Sequence, residues 1–169
     1  MSMIDLLRRE FALMRHHVTG IIEGLTKDEL IWVPPGMINP IGTTLLHVLT
    51  GEDRLIQSVL QGKPSLWEAG RWYEQIGVIN LPVRGHDWTS IDITSLQAPA
   101  LFAYAQVVEQ ITTAYLYQLN DLDLEQQVDV YGQEQTRAEA LFSIIIHNTS
   151  HAGEIAALKG LQGMRGRTT

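Results

Sequence analysis

Apolar residues recur at alternating spacings of three and four in the first 25 positions, which predicts a long amphipathic helix. The members of this stripe are Ile4, Leu7, Phe11, Met14, Val18, Ile21 and Leu25. Thr26 and Glu29 then have the spacing of a capping box, so a short second helix is expected to begin there. Pro34-Pro35-Gly36 predicts its end.

A second long helix is predicted to open at Asn39-Pro40, with Asn39 as its N-cap and the proline in the first turn. Helical spacing then continues to about Gln61, and Gly62 predicts the end of the helix. The apolar positions of this helix are Ile41, Leu45, Val48, Leu55, Ile56 and Val59.

Residues 62–98 have no sustained period and form a long connection. Ser65 and Glu68 have capping-box spacing, which predicts a short helix through Ile76. The segment is rich in rings, namely Trp67, Trp72, Tyr73, His86 and Trp88. Two interpretations stay open: a lid or binding loop, or a crossover whose tryptophans plug one end of a bundle.

Two further long helices complete the pattern. The third begins near Pro99, although Ala98 before a proline leaves its start open, and its inner positions are Leu101, Ala105, Val108, Thr112, Tyr115 and Leu119. Residues 120–135 are polar, with 128–132 as a short extended piece. Thr136 and Glu139 form another capping box, which begins a helix to about Leu161. Four long amphipathic helices predict an all-α four-helix bundle.

Composition narrows the classes of function. The 169 residues suit one domain, and the absence of cysteine excludes disulfides, thiolate metal sites and cysteine nucleophiles. A net charge of −7 without a long basic stripe argues against a nucleic-acid partner. Charges within the first ten residues argue against a signal peptide, and the longest uncharged run is too short and polar to span a membrane. We therefore expect a cytoplasmic protein with no membrane partner.

Three histidines carry the candidate chemistry. His147 and His151 are four apart, so both imidazoles lie on one face of the fourth helix and can point at one ion. His47 lies in an apolar run of the second helix, where a buried imidazole needs a partner. Together they predict a divalent metal site with open coordination positions. The alternative for the pair is one hydrogen-bonded core histidine and one surface histidine. For His47 it is a lone histidine that bonds to a backbone carbonyl or a tyrosine.

Other polar residues are secondary candidates. Glu154 lies on the same face as His151 and is a candidate catalytic residue that would orient a histidine or take a proton; its alternative is a surface carboxylate. Glu52 and Asp53 are five and six residues after His47, which turns them partly away from it. Tyr104 is expected in the core, His16 and His17 at a solvated edge, and His86 either exposed or near the metal.

The ordered motifs of this chain resemble the DinB-like family. They are Leu25-Thr26-Lys27-Asp28-Glu29-Leu30 before Trp32, Asn39-Pro40-Ile41-Gly42 leading to Leu46-His47, Leu101-Phe102-Ala103-Tyr104-Ala105, Tyr115-Leu116 before Leu119, and His147-x-x-x-His151-x-Gly153-Glu154-Ile155 ending in Gly160-Leu161-Gln162-Gly163. The resemblance implies a single four-helix-bundle domain over residues 1–169, with a crossover connection, and a homodimer. It also implies zinc or nickel held by His47, His147 and His151. Some relatives are thiol-dependent, including mycothiol-dependent maleylpyruvate isomerase and bacillithiol transferases.

Two functional hypotheses follow. The first is a metal-dependent enzyme that acts on a small molecule by hydrolysis or by thiol transfer, with a low-molecular-weight thiol as cosubstrate because the chain has no cysteine. The second is a non-catalytic ligand-binding bundle, or a stress-associated dimer, with a structural or empty metal site. The stripe of the first helix would suit the interface of such a dimer.

Overall fold

Four long helices dominate a computed structural model of the chain, which describes residues 1–36, 39–79, 81, 88 and 91–166. The long elements are α1 (Met3–Ile22), α3 (Ile41–Asp53) with a π-helical continuation (Arg54–Val59), α6 (Ala98–Gln118) and α8 (Arg137–Leu161). The short ones are α2 (Lys27–Ile31), α4 (Leu66–Ala69), α5 (Trp72–Ile76), α7 (Asp121–Leu124), β1 (Gln127–Val130) and β2 (Gln133–Thr136). The predicted helical bundle is confirmed.

The long helices pack as a ring. Helix α1 packs against α8 and α6, and α3 packs against the same two helices. Helices α1 and α3 therefore face each other across the bundle axis, although they are consecutive long helices in the chain. A plain up-and-down bundle would place them side by side, so this order requires connections that cross the end of the bundle.

The stripe predicted for the first helix is buried, and all seven of its residues belong to the hydrophobic core. At the start of α2, both hydrogen bonds of the Thr26 and Glu29 capping box are present. The predicted box of Thr136 and Glu139 is also complete and opens α8. Because the α1 stripe faces the interior of its own chain, it is not a free surface, and the homodimer loses that argument.

The start of α3 differs from the prediction. Asn39 is not the N-cap; Pro40 is, with an extended ψ of 156° and no side-chain capping bond. The Asn39 Oδ1 atom is buried, without a hydrogen-bond partner among the described residues. Gly42 permits a close approach here, because a Cβ atom at this position would lie 3.0 Å from the Leu30 carbonyl oxygen of α2.

In its described part, the connection between α3 and α6 holds two short helices rather than one. Gly70 and the left-handed Arg71 (φ 49°) separate α4 from α5. Trp67 and Trp72 pack on Tyr104 of α6, with ring centroids 5.6 and 5.3 Å away. These contacts agree with the plug interpretation for the two tryptophans, and the role of the connection stays a prediction. The prediction for His86 lies outside the described residues.

A β-hairpin precedes α8, where the sequence predicted only one extended piece. Strands β1 and β2 are antiparallel, with Gln127 opposite Thr136. Tyr131 and Gly132 form the turn with φ values of 57° and 86°, the two positive values that a tight hairpin turn needs. Strand β2 was missed because its four residues are all polar. Among the described residues, no helix combines the length and apolar character needed to cross a bilayer.

Candidate metal centre

The structure brings the three predicted histidines together. His47 comes from α3, and His147 and His151 come from successive turns of α8. Each offers one ring nitrogen, and these three atoms lie within 4.8 Å of one another. The Nε2 atoms of His47 and His147 are 2.9 Å apart. All three side chains are half-buried, so the cluster is held by the fold and is still reachable.

Packing between α3 and α8 produces this convergence. His47 and Gly51 are one turn apart, so both lie on the face of α3 that meets α8. A Cβ atom on Gly51 would be 3.7 Å from the Cε1 atom of His147. On its other side, the His47 ring meets the edge of Trp88, with centroids 4.7 Å apart. Trp88 therefore differs from Trp67 and Trp72, because it belongs to the surroundings of the histidine cluster.

Glu154 contacts the cluster directly. Its Oε2 atom is 2.7 Å from Nδ1 of His151, and the two side chains are 36% and 27% exposed. The sequence placed Glu154 on the same face as His151, and the geometry agrees. Lys159, further along α8, is buried and donates a hydrogen bond to the Ile21 carbonyl at 2.6 Å instead of pairing with Glu154.

Glu52 binds side chains from the other three long helices at the centre of the bundle. This α3 residue is 1% exposed. Its carboxylate accepts hydrogen bonds from Arg15 of α1, from Thr112 of α6 at 2.7 Å and from Asn148 of α8 at 2.6 Å. Asn148 Oδ1 in turn lies 3.2 Å from Nδ1 of His147. Sequence reasoning turned Glu52 partly away from His47; it has no direct contact with the histidines, but it reaches His147 through Asn148.

This central network was missed, although the sequence held a signal. Arg15 interrupts the buried neighbourhood of Met14 and Val18, and Asn148 lies four residues from the buried Ile144 and Ala152. A charged or amide side chain at such a position needs a buried partner. These interruptions mark Arg15 and Asn148 as buried polar side chains that need partners, but they do not say which residues those partners are.

Asp53, next to Glu52, points to the connection instead. It accepts hydrogen bonds from the backbone N–H groups of Leu66 and Trp67, each at 2.9 Å, and from the Tyr104 hydroxyl at 2.7 Å. Burial raises the pKa of Asp53, while these hydrogen bonds act against that shift. Tyr104 is fully buried, as the core interpretation predicted, and burial together with the Asp53 carboxylate raises its pKa.

The local electrostatics favours neutral imidazoles. Burial, and then repulsion from the other two histidines, lowers the pKa of His47 to about 4. Burial is also the main cause of the lowered pKa of His147. A metal ligand must present an unprotonated nitrogen, so these shifts prepare the two residues for coordination. Of the other histidines, His16 and His17 are exposed, as predicted.

A separate groove of about 450 Å³ lies between α1 and α6. Its lining consists of Arg8, Phe11, Ala12, Arg15, His16, Thr19, Glu109, Thr112, Thr113, Leu116 and Tyr117. The three clustered histidines are not part of this lining. Arg15 and Thr112 belong both to the groove and to the network around Glu52.

Comparison with known proteins places this fold and site in a defined class. The family model described as the DinB superfamily matches residues 10–155. The chain therefore belongs to the DinB superfamily, and the resemblance seen in the sequence motifs is confirmed.

Two solved structures have the same fold. A conserved protein from Enterococcus faecalis has a TM-score of 0.77 at 22% identity, with 95% of this chain and 97% of that chain covered. A DinB-like protein from Bacillus cereus has a TM-score of 0.64 at 16% identity, with 96% and 95% covered. At these identities the similarity establishes the fold. No curated protein matches the chain in sequence.

Proposed function

We propose that this protein is a metal-dependent enzyme that acts on a small molecule, with zinc or nickel held by His47, His147 and His151. The observation that carries the proposal is the convergence of three imidazole nitrogens within 4.8 Å. Both metals accept imidazole ligands. Three neutral ligands leave coordination positions open, as in catalytic rather than structural metal sites.

The residues around the cluster fit this role. A divalent ion on three neutral imidazoles supplies a Lewis acid that lowers the pKa of a bound water or thiol. The chain has no cysteine, so the thiol in a transfer reaction comes from a small-molecule cosubstrate. Hydrolysis and thiol (S-) transfer are the two reaction types that this site supports.

Glu154 has a proposed role beside His151. Its short hydrogen bond to Nδ1 of His151 orients that ring, as carboxylates commonly do behind metal-ligating histidines. Because its side chain is 36% exposed, Glu154 is also placed to take a proton from a substrate in the same opening. These two roles predict different outcomes for Glu154→Gln, which still accepts a hydrogen bond but is a poor base.

A non-catalytic ligand-binding bundle is the second candidate function. The groove between α1 and α6 favours this function, because its lining does not include His47, His147 or His151. In this case the metal site would be structural or empty. The homodimer and the cytoplasmic location stay predictions, the first from the resemblance and the second from the charged N-terminal residues.

Elemental analysis of tag-free protein, purified without a chelator or a metal column, tests the proposal. We expect about one zinc or nickel ion per chain, and loss of that ion in His47→Ala. His16→Ala, which removes an exposed histidine outside the cluster, is the matched control and keeps the metal. Protein that carries no metal and takes none up at micromolar concentration contradicts the proposal. A metal-bearing protein justifies a screen of ester and thiol substrates.

A further inference from the structure

We propose that the three histidines are not equivalent: hydrogen bonds to Asn148 and Glu154 preset His147 and His151 for coordination, whereas His47 must change tautomer to bind through Nε2. In the preset tautomer the hydrogen is on Nδ1, and the Nε2 lone pair is free for a ligand. The assignment of tautomers in the metal-free protein stands on the hydrogen bonds alone. The change at His47 rests on the proposed metal site.

The tautomer of His147 follows from Glu52. The Glu52 carboxylate pairs with the Arg15 guanidinium and only accepts hydrogen bonds. Asn148 must therefore turn its NH₂ group towards Glu52, at 2.6 Å. Its carbonyl oxygen then faces Nδ1 of His147 at 3.2 Å, and because this oxygen also only accepts, Nδ1 carries the hydrogen. The Nε2 atom of His147 is left with its lone pair.

Glu154 fixes His151 in the same way. Its carboxylate oxygen lies 2.7 Å from Nδ1 of His151, so Nδ1 donates and Nε2 keeps a lone pair. The two ligands of α8 therefore reach the same tautomer through different partners. One partner is a buried amide backed by a carboxylate, and the other is a carboxylate at the edge of solvent.

His47 is different because its Nε2 atom lies 2.9 Å from Nε2 of His147. In protein prepared free of metal, two ring nitrogens at this distance share one hydrogen. Since His147 presents a lone pair there, His47 supplies the hydrogen from its own Nε2. Among the described residues, no protein group holds Nδ1 of His47; the ring packs against Trp88 instead.

Coordination through Nε2 of His47 therefore requires a proton shift. The N–H bond at Nε2 breaks and its proton passes to solvent, while Nδ1 takes up a proton from solvent. The imidazole is neutral before and after the exchange, so no proton is gained or lost overall. Asn148 is the positioning residue of this arrangement, because it alone connects His147 to the Glu52 network in the described part of the chain.

Two-bond ¹H–¹⁵N correlation spectra of the histidine rings test the assignment. They are recorded on metal-free protein at neutral pH, before and after one equivalent of Zn²⁺, and are assigned with single His→Gln variants. We expect Nδ1–H for His147 and His151 throughout, and a change from Nε2–H to Nδ1–H for His47 when zinc is added. An Nε2–H tautomer of His147, or an Nδ1–H tautomer of His47, in the metal-free protein would overturn the inference.

Asn148→Leu removes the positioning bond, and Asn148→Ala is the milder substitution if the first variant does not fold. We expect His147 to lose its single tautomer and the zinc affinity, measured by chelator competition, to fall roughly 10- to 100-fold. Thr149→Leu, which changes an exposed neighbour on α8, is the matched control and alters neither. An Asn148 variant that folds and keeps the His147 tautomer contradicts the positioning role.

The two proposals fail in different ways. If zinc binds but the metal-free tautomers differ from those expected, the inference is wrong and the proposed metal site stands. If the tautomers are as expected but neither zinc nor nickel binds, the hydrogen-bond assignment is supported, and the proposed function and the change at His47 are overturned.

Discussion

Glu52 and Asp53 are neighbours in the chain, and both are 1% exposed, yet they serve different parts of the molecule. The Glu52 region joins all four long helices and ends at His147. The Asp53 region binds the start of α4 and the hydroxyl of Tyr104. Successive helix residues point about 100° apart, so the two carboxylates face different parts of the molecule.

The two carboxylates differ in the partners that offset the cost of burying their charge. Glu52 has a cation, Arg15, within hydrogen-bond reach. Among the described residues, the hydrogen-bond donors to Asp53 are all neutral, and burial raises its pKa. Burying a charge without a counter-ion is costly. The Glu52 region is therefore an ion-paired support for the candidate site, and the Asp53 region is a hydrogen-bonded anchor for the connection.

Removal of the Glu52 carboxylate should have the largest effect on stability. Glu52→Ala leaves the Arg15 charge buried without its partner, so we expect the free energy of unfolding to fall by about 3–5 kcal/mol. Urea denaturation monitored by circular dichroism measures the loss. Glu125→Ala, at an exposed carboxylate, is the control and should leave stability unchanged within error. A loss below about 1 kcal/mol would show that the Arg15 pair does not support the bundle.

Asp53→Ala should destabilise less and leave the metal site intact. Three donors lose their acceptor, but those of α4 lie near the surface and regain water, so we expect a loss of roughly 2–3 kcal/mol. Zinc affinity, measured on the folded variant, should equal that of the unmodified protein. A parallel loss of zinc affinity would mean that the two carboxylates serve one region rather than two.

The pH dependence of stability tests whether Asp53, unlike Glu52, is buried without a counter-ion. A folded-state pKa of Asp53 above the ordinary 3.8 means that its contribution to stability is complete below the unfolded pKa and is lost as pH rises through the folded pKa. Asp53→Asn removes this dependence. The stability of the unmodified protein relative to Asp53→Asn should therefore decrease from pH 3.5 to pH 7. A difference that increases with pH would reverse the sign of the shift.

Glu154 offers a third carboxylate with a smaller effect, on affinity rather than folding. Glu154→Leu removes the acceptor from His151, and we expect zinc affinity to fall about tenfold. Glu154→Gln keeps an acceptor and should retain most of the affinity. If the Gln variant holds its metal but loses activity on a substrate identified by screening, Glu154 acts as a base and not only as an orienting group.

The smallest expected effect is at the cap of α4. The Ser65 hydroxyl accepts from the Glu68 N–H at 3.3 Å, while Asp53 satisfies the two preceding N–H groups. Ser65→Ala therefore removes one acceptor of three and should cost about 1 kcal/mol in unfolding free energy. A loss as large as that of Asp53→Ala would show that the hydroxyl, rather than the carboxylate, anchors the connection.

The local features of this protein could be predicted from its sequence alone. Spacing predicted the four long helices, and capping boxes located the starts of α2 and α8 within one residue. The four-residue spacing of His147 and His151 predicted that they share a face. These features depend on neighbours in the chain, and the helical period converts them directly into geometry. The DinB superfamily was also evident from the order of the motifs.

Which helix faces meet depends on the tertiary fold and could not be predicted from the spacing of residues in the sequence. The ring order places α3 against α8, which brings His47 to His147, and it brings Arg15 to Glu52 across the bundle axis. Periodicity identifies the inward face of each helix but not the helix opposite it. Two local predictions failed because the surroundings outweighed the preferences of the residues. Asn39 is not the N-cap of α3, although its residue type favours that position. The polar residues of β2, which were not predicted as a strand, form one because they pair with β1.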